Sequence, residues 1–262
     1  IIPLAGLGTR LLPLTSVFAK ELLPINGRPG IEYILDECIE AGIKEIIFII
    51  SSKKLMIKKY FYSDKFYKKI LKKKKDSRII SEYKKILKYK KKIKFVFQNM
   101  PKGTGDAVLK TQKYIKNKYF LMLLPDDLII KKNCSKAIIK VHQKYNASVM
   151  ASMKVKRNNV SRWGIYKINK KLNNRNFIID GVVEKPSERN APSNNAVIGR
   201  YILPRSIFNK IKSIKSIRGK ELHITDAIQL LINDKERFIA HNFEGKYLDC
   251  GTMSGYINSS KE

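Results

Sequence analysis

The chain has 262 residues, 44% of them hydrophobic, which is enough for one large α/β domain or two small ones. Lys and Arg number 54 against 22 Asp and Glu, and the resulting net charge of +32 alone points to nucleic acid or an anionic membrane surface. No apolar run approaches the roughly 18 to 20 residues that span a bilayer, no signal-peptide pattern opens the chain, and Cys38, Cys134 and Cys250 lack the pairing or spacing of a disulfide framework or zinc site.

These features describe a soluble protein of a reducing compartment, and the expected location is cytoplasmic. Ile1 stands inside a strand-like run, so native residues are expected to precede it. The lysines are spread through a sequence also crowded with Ile, Asn and Tyr, all favoured by A/T-rich codons. No helix-turn-helix pattern, zinc-finger spacing or RNA-binding aromatic signature accompanies the charge. A basic enzyme is therefore the first reading and a basic nucleic-acid-binding protein the outside alternative.

The apolar run at the start enters Ala5-Gly6-Leu7-Gly8-Thr9-Arg10, and Lys20 follows. Glycines allow a close backbone approach, and successive N–H groups in such a turn make a nest for an anion such as phosphate. Arg10 and Lys20 add fixed positive charge. The motif alone also fits an ordinary strand-to-loop turn, and a nicotinamide-dependent dehydrogenase would use it too, although its third glycine would fall at Leu11.

Ile31, Ile34, Leu35, Cys38 and Ile39 recur at helical spacing between Gly30 and Gly42, and residues 46–50 form a continuous apolar run typical of a buried parallel strand. Together they predict a right-handed βαβ unit. Residues 53–92 are lysine-rich with interleaved Leu, Ile, Tyr and Phe, which predicts helices with a solvated basic face. Residues 94–98 predict a strand, and Gly103 to about Tyr114 a helix. Another buried strand over 119–124 ends at Pro125-Asp126-Asp127. Carboxylates at a strand C-terminus stand where open α/β sheets bind ligands, and a pair beside a phosphate nest suits Mg²⁺. The alternative is a turn or a helix-capping acid.

Further strands are expected over 147–155, at 163–166 and 177–184 as an antiparallel pair, and over 196–203. A helix follows from about Arg205. A second begins at Glu221-Leu222-His223-Ile224-Thr225-Asp226 and runs to Leu231. Short strands over 238–243 and 247–249 lead through Asp249-Cys250-Gly251 into a last helix. No internal repeat or linker is visible, so one domain over 1–262 is expected.

Eight motifs then stand in a telling order: Pro3-Leu4-Ala5-Gly6-Leu7-Gly8-Thr9-Arg10, Lys20-Glu21-Leu22-Leu23-Pro24, Lys102-Gly103-Thr104-Gly105-Asp106-Ala107, Leu124-Pro125-Asp126-Asp127, Val183-Glu184-Lys185-Pro186, Ile198-Gly199-Arg200-Tyr201, Glu221 through Ala227, and Asp249-Cys250-Gly251. In this order the chain resembles, over essentially its whole length, the bacterial UTP–glucose-1-phosphate uridylyltransferases of the sugar-nucleotide pyrophosphorylase superfamily.

The resemblance implies a nucleotide-diphospho-sugar transferase fold: a Rossmann-like mixed, mostly parallel central sheet flanked by helices, with a smaller antiparallel sugar-binding portion. It implies that UTP and glucose 1-phosphate become UDP-glucose and pyrophosphate by in-line attack on the α-phosphorus. Arg10, Lys20, Asp126 and Lys185 are then the catalytic group. Gly6, Gly8 and Thr9 hold the triphosphate, and Ala5, Gly6, Glu21, Gln98 and Gly103 surround the uracil. Asp127, Gly164, Glu184, Lys185, Val197 and Gly199 line the sugar phosphate site, and Asp126 and Asp249 hold Mg²⁺. Family members form homodimers or homotetramers, and neither nucleic acid nor membrane is an expected partner.

Ala19, Trp163, His223 and Asn26-Gly27-Arg28-Pro29 depart from the family's usual residues, and none of these departures removes a charged catalytic group. The nearest rival, a glucose-1-phosphate thymidylyltransferase, tends to carry Lys-Gln and Gly-Asp where this chain has Lys20-Glu21 and Pro125-Asp126-Asp127.

Overall fold

The computed structural model of the protein describes residues 1–74, 76–214 and 221–262. Strand β1 (Ile2–Pro3) leads into the glycine loop. A short hairpin follows, β2 (Pro24–Ile25) and β3 (Arg28–Pro29), turning on Asn26 and Gly27 at φ of 46° and 71°. Positive φ at both central residues is what an Asn-Gly turn accommodates, so the departure from the family pattern here is a self-sufficient turn.

Helix α1 (Gly30–Glu40) ends as Gly42 predicts. Gly42 adopts φ 85°, its N–H donates to Ile39 O, and the Ile43 N–H reaches back to Cys38 O, closing the helix with a left-handed cap. Strand β4 (Ile46–Ile50) is buried at every residue.

The lysine-rich stretch forms helices α2 (Leu55–Phe61), α3 (Asp64–Lys73) and α4 (Ser77–Lys90). Lys75 lies outside the described residues. Asp76 caps α4 by accepting from the N–H groups of Arg78 and Ile79. Ile57, Phe61, Ile86 and Tyr89 are buried. The buried Glu32 of α1 gathers Arg28 (2.7 Å), Lys85 (2.8 Å) and the Tyr60 hydroxyl, tying these helices to the body.

Strand β5 (Ile93–Phe97), helix α5 (Thr104–Leu109) and strand β6 (Tyr119–Leu123) come next, followed by β7 (Asp127–Ile130) and helix α6 (Cys134–Tyr145). Neither β7 nor α6 is anticipated by the sequence reading, and α5 stops five residues short of the expected end. The chain continues through β8 (Ser148–Lys154), β9 (Gly164–Lys171), β10 (Asn176–Glu184), β11 (Asn195–Pro204), α7 (Ile207–Ser213), α8 (Ile224–Asn233), β12 (Phe238–Asn242), β13 (Lys246–Asp249) and α9 (Met253–Ser259).

Among the described residues β1, β4 and β5 pair in parallel in the order β1-β4-β5, and a larger sheet runs β6-β11-β8-β12-β10-β9. The Leu123 N–H donates to Ile1 O at 3.0 Å, joining the two sheets along β1 and β6. The order therefore runs outward from β1 to β5, then reverses to β6 on the other side. Open α/β sheets bind their ligands at such a reversal, beyond the carboxyl ends of the strands. Strand β8 is parallel to β12, β11 is antiparallel to both β6 and β8, and β9 and β10 pair antiparallel at the far edge. The mixed sheet with an antiparallel portion thus matches the expectation.

Strand residues alternate between two cores. Phe48, Val149 and Ile239 pack with Ile34 of α1 and Ile138 of α6 on one face. Ile49, Met150 and Ala240 pack with Val108, Phe208 and Ile228 of α5, α7 and α8 on the other. Helices therefore cover both faces, as the apolar runs of parallel strands require.

One buried ion pair crosses this architecture. Arg200, fully buried on β11, donates from Nε and Nη2 to both oxygens of Glu37 on α1 at 2.8 to 3.1 Å. Its remaining donors reach Leu124 O at 3.1 Å, Asp127 O at 2.7 Å and Gly199 O at 2.9 Å. Glu37 also accepts from the Ser135 N–H and hydroxyl. Burial disfavours the Arg200 guanidinium, but the Glu37 charge and hydrogen bonds outweigh it and raise its pKa further. Removing one partner of such a pair leaves a buried charge unmatched, so Arg200→Ala should lower unfolding free energy by about 3–5 kcal/mol in denaturant titrations, and Arg200→Met combined with Glu37→Leu should recover most of that loss.

Candidate active site

The glycine loop leaves β1 at the sheet reversal. Gly8 sits at φ 72°, and a Cβ there would lie 3.0 Å from Thr15 Cγ2, so glycine is needed both for its torsion and for space. A Cβ on Gly6 would meet nothing within 4 Å, which leaves that face of the loop open to a ligand. Thr15 Oγ1 donates to Gly8 O at 2.9 Å and pins the turn. Thr9 begins a 3-10 turn that carries Arg10 into solvent, and Ala5 is buried behind the loop.

Across the reversal, Lys20 Nζ donates to Asp126 Oδ2 at 2.7 Å, and Arg10 Nη2 stands 3.8 Å from the same oxygen. Burial favours a neutral Asp126 carboxyl, but the Lys20 charge and hydrogen bond, with Arg10 behind them, hold it below the usual carboxylate range. Lys20 responds in kind. Burial disfavours its ammonium, and the Asp126 and Glu21 charges more than offset this, raising its pKa.

Asp249 closes the group from β13. Its Oδ1 accepts from the Gly251 N–H at 2.9 Å, and its Oδ2 faces Arg162 at 3.3 Å and the Thr252 hydroxyl at 3.2 Å. The Cys250 N–H donates to Asp126 O at 2.8 Å, joining the two acid-bearing turns. Both carboxylates face the glycine between them: a Cβ on Gly251 would lie 3.0 Å from Asp126 Oδ2 and 3.4 Å from Asp249 Oδ1. Two carboxylates on one cradle are a hard-oxygen donor set of the kind Mg²⁺ takes, with water or substrate completing its shell. Among the described residues no three His, Cys, Asp or Glu side chains gather at one point, so the protein offers these two and no closed cage.

Asp127 points elsewhere. Its Oδ1 accepts from Tyr247 at 2.7 Å and its Oδ2 from the Gly199 N–H at 2.8 Å. Burial, then the neighbouring Asp126 charge, push it up to about 6, with Tyr247, Arg200 and the Gly199 N–H pulling the other way. Gly199 lies at an irregularity of β11 between Ile198 and Tyr201, and a Cβ there would stand 2.5 Å from Leu124 Cβ and 2.6 Å from Asp127 Oδ2. Gly164, Glu184 and Val197 also meet: a Cβ on Gly164 would lie 3.1 Å from Glu184 Oε2 and 3.4 Å from Val197 Cγ2. Lys185 follows at φ 43°, uncommon for a residue with a side chain, and its N–H donates to Trp163 O at 3.1 Å. Its ammonium is exposed and has no ion-pair partner among the described residues.

Gln98 lies at the carboxyl end of β5 beside Gly103, and its Nε2 donates to Gly103 O at 3.1 Å. The Glu21 side chain is buried against Lys54. It is 1% exposed, and both its oxygens accept from Lys54 Nζ at 2.8 and 2.9 Å. Burial pulls the Lys54 ammonium below its usual range, with Glu21 opposing. Six residues that shape the site are absent from the sequence-based set: Glu37, Lys54, Asp106, Arg162, Arg200 and Tyr247. Arg200 carried one available signal, since an arginine inside an otherwise apolar strand needs a buried partner.

A glycine turn, two cations and two converging carboxylates meet at the sheet reversal. The chain belongs to the nucleotidyl transferase family, which it matches over residues 1–262. It is 35% identical over 265 residues to UTP–glucose-1-phosphate uridylyltransferase 2 of Streptococcus pyogenes, covering 99% of this chain and 88% of that protein. Among solved structures it is similar to UTP-bound UGPase from Acinetobacter baumannii, at 32% identity and a TM-score of 0.91, covering 99% of this chain and 90% of that one. It is also similar to UDP-glucose pyrophosphorylase complexed with UDP-glucose, at 34% identity and a TM-score of 0.85, covering 99% and 95%.

Because Gly251 leaves the space between the two carboxylates, Gly251→Ala should cut turnover at least about tenfold while leaving the melting temperature within a few degrees of the parent. Asp249→Asn should lose most activity with the fold intact, and steady-state rates beside thermal melts check both.

Proposed function

We propose that the chain transfers a uridylyl group from UTP to glucose 1-phosphate, forming UDP-glucose and releasing pyrophosphate. The observation that carries the reading is the meeting of Lys20, Arg10, Asp126 and Asp249 at the sheet reversal, in a chain matching its uridylyltransferase relatives over 99% of its length.

The reaction joins two anions. An oxygen of the sugar phosphate attacks the α-phosphorus of UTP, and the bond from that phosphorus to the β-phosphate bridging oxygen breaks with pyrophosphate leaving opposite. No protein nucleophile is required, so positioning and charge neutralisation carry the rate. In this reading Gly6, Gly8 and Thr9 lay backbone and hydroxyl donors against the triphosphate, and exposed Arg10 closes on it. Lys20, held by Asp126, stands by the α-phosphate, where negative charge develops. Ala5, Gln98 and Gly103 enclose the uracil. The Glu21 carboxylate, committed to Lys54, supports the Lys20 turn from beneath, so only its backbone faces the base.

Glu184 accepts from sugar hydroxyls, with Gly164, Val197 and Gly199 shaping the pocket and Asp127 at its floor. Lys185 grips the sugar phosphate. Asp126 and Asp249 would hold Mg²⁺, which would supply further positive charge to the reacting phosphates. We further infer a single catalytic domain in a cytoplasmic homodimer or homotetramer. No helix among the described residues is long and apolar enough to cross a membrane.

Incubating purified protein with glucose 1-phosphate, Mg²⁺ and each nucleoside triphosphate in turn, and following pyrophosphate, tests this directly. Release should be fastest with UTP and should stop on chelation. Absence of release with UTP, or faster release with dTTP, would overturn the assignment.

A further inference from the structure

Gln98 is 4% exposed and its backbone is anchored, its N–H donating to Ile50 O at 2.8 Å. Its side-chain Nε2 faces two acceptors, Gly103 O at 3.1 Å and Asp106 Oδ2 at 2.7 Å. An amide can point its oxygen or its nitrogen in a given direction, and surroundings decide between them. Here the choice is forced, because a flipped amide would set its oxygen against a carbonyl and a carboxylate. Both Nε2 hydrogens are thereby used within the protein. Oε1 receives no donor from any described residue and is not sealed from solvent.

Asp106 is itself held in place. The Gly105 N–H donates to Leu222 O at 2.7 Å, the Ile224 N–H to Thr104 Oγ1 at 3.0 Å, and the Leu222 N–H to Lys102 O at 2.9 Å. A Cβ on Gly103 would lie 2.4 Å from Leu222 O, so residues 102–105 and 222–224 fit only as close backbone neighbours. Lys110 Nζ, from the residue that caps the C-terminus of α5, stands 3.9 Å from Asp106 Oδ2.

We propose that Asp106 is a specificity-determining positioning residue: by claiming Nε2 it leaves Gln98 a pure acceptor at the base, so that the site takes a pyrimidine with a ring N–H at position 3 and refuses cytosine. This rests on the placement of uracil at Gln98 given above. Uracil N3–H donates to Oε1. Cytosine N3 carries a lone pair and would leave two acceptors face to face, a mismatch that hydrogen-bonding sites reject strongly. Thymine shares the N3–H, so this device separates UTP from CTP and leaves dTTP to other contacts.

Initial rates with UTP and CTP for the parent and Asp106→Ala test the idea. The parent should use UTP and not CTP, which also checks the underlying assignment; a parent indifferent to UTP removes that assignment and this proposal together. In Asp106→Ala, with nothing forbidding the flipped amide but Gly103 O, KM for UTP should rise about tenfold and the UTP-to-CTP ratio of kcat/KM should fall at least about tenfold. KM for glucose 1-phosphate should stay unchanged. A ratio within twofold of the parent's, in a variant with parental melting behaviour, would overturn the proposal. A second measurement needs no variant: N3-methyl-UTP, which has no N3–H, should bind the parent protein at least about tenfold more weakly than UTP. Equal binding would overturn the acceptor role.

Discussion

The site depends on the buried pair between Arg200 and Glu37. A guanidinium taken out of water is costly unless every donor is matched. Arg200 meets that demand with the Glu37 carboxylate and with three backbone carbonyls, two of which belong to Leu124 and Asp127. Those carbonyls flank Pro125 and Asp126. A charge that must be satisfied thus fixes the turn carrying the acid that Lys20 and Arg10 face. The same arginine follows Gly199, whose N–H and lack of a Cβ admit Asp127. One buried charge therefore sets both Asp126 and Asp127, and sends them in opposite directions.

Around that fixed turn, the remaining parts meet by topology. The chain runs from β1 outward to β5 and returns to β6, so the glycine loop and Asp126 face each other across the reversal although they are distant in sequence. The segment from β13 adds Asp249 and bonds to Asp126 O through Cys250. Charge balance is local: Asp126 is kept ionised by Lys20 and Arg10, while burial and the adjacent Asp126 charge push Asp127 up to about 6 against the opposing pull of Tyr247 and Arg200. Adjacent carboxylates can share a small site only if their environments differ in this way. The +32 net charge plays little part in the arrangement. Much of it decorates the solvated faces of α2 to α4, whose anchor is the buried Glu32.

Much of this was legible in the sequence because it is local. Glycine turns, apolar runs ended by acids and the antiparallel pair over β9 and β10 depend on residues close in sequence. The motif order then located Lys20, Asp126, Lys185 and Asp249 within one family pattern. What escaped reading is long-range: Arg200 and Glu37 are 163 residues apart, Tyr247 and Asp127 are 120 apart, and Lys54 and Glu21 are 33 apart. No spacing rule connects such partners. Glu21 illustrates the cost, since a motif shows that an acid is present but not that Lys54 turns it inward. Helix α6 is hard to read in the sequence because its apolar stripe is interrupted by lysines that its solvent face tolerates.

A charge pair buried beneath the site holds the Asp126 turn in position. Glu37→Gln keeps the shape of the side chain and removes the charge. Its turnover per folded molecule should be measured well below its melting temperature, with the folded fraction determined in the same sample. Turnover should fall at least about tenfold, since Arg200 would keep its backbone carbonyls and one neutral amide acceptor but lose the opposing charge. A folded Glu37→Gln protein that works at the parental rate would contradict it.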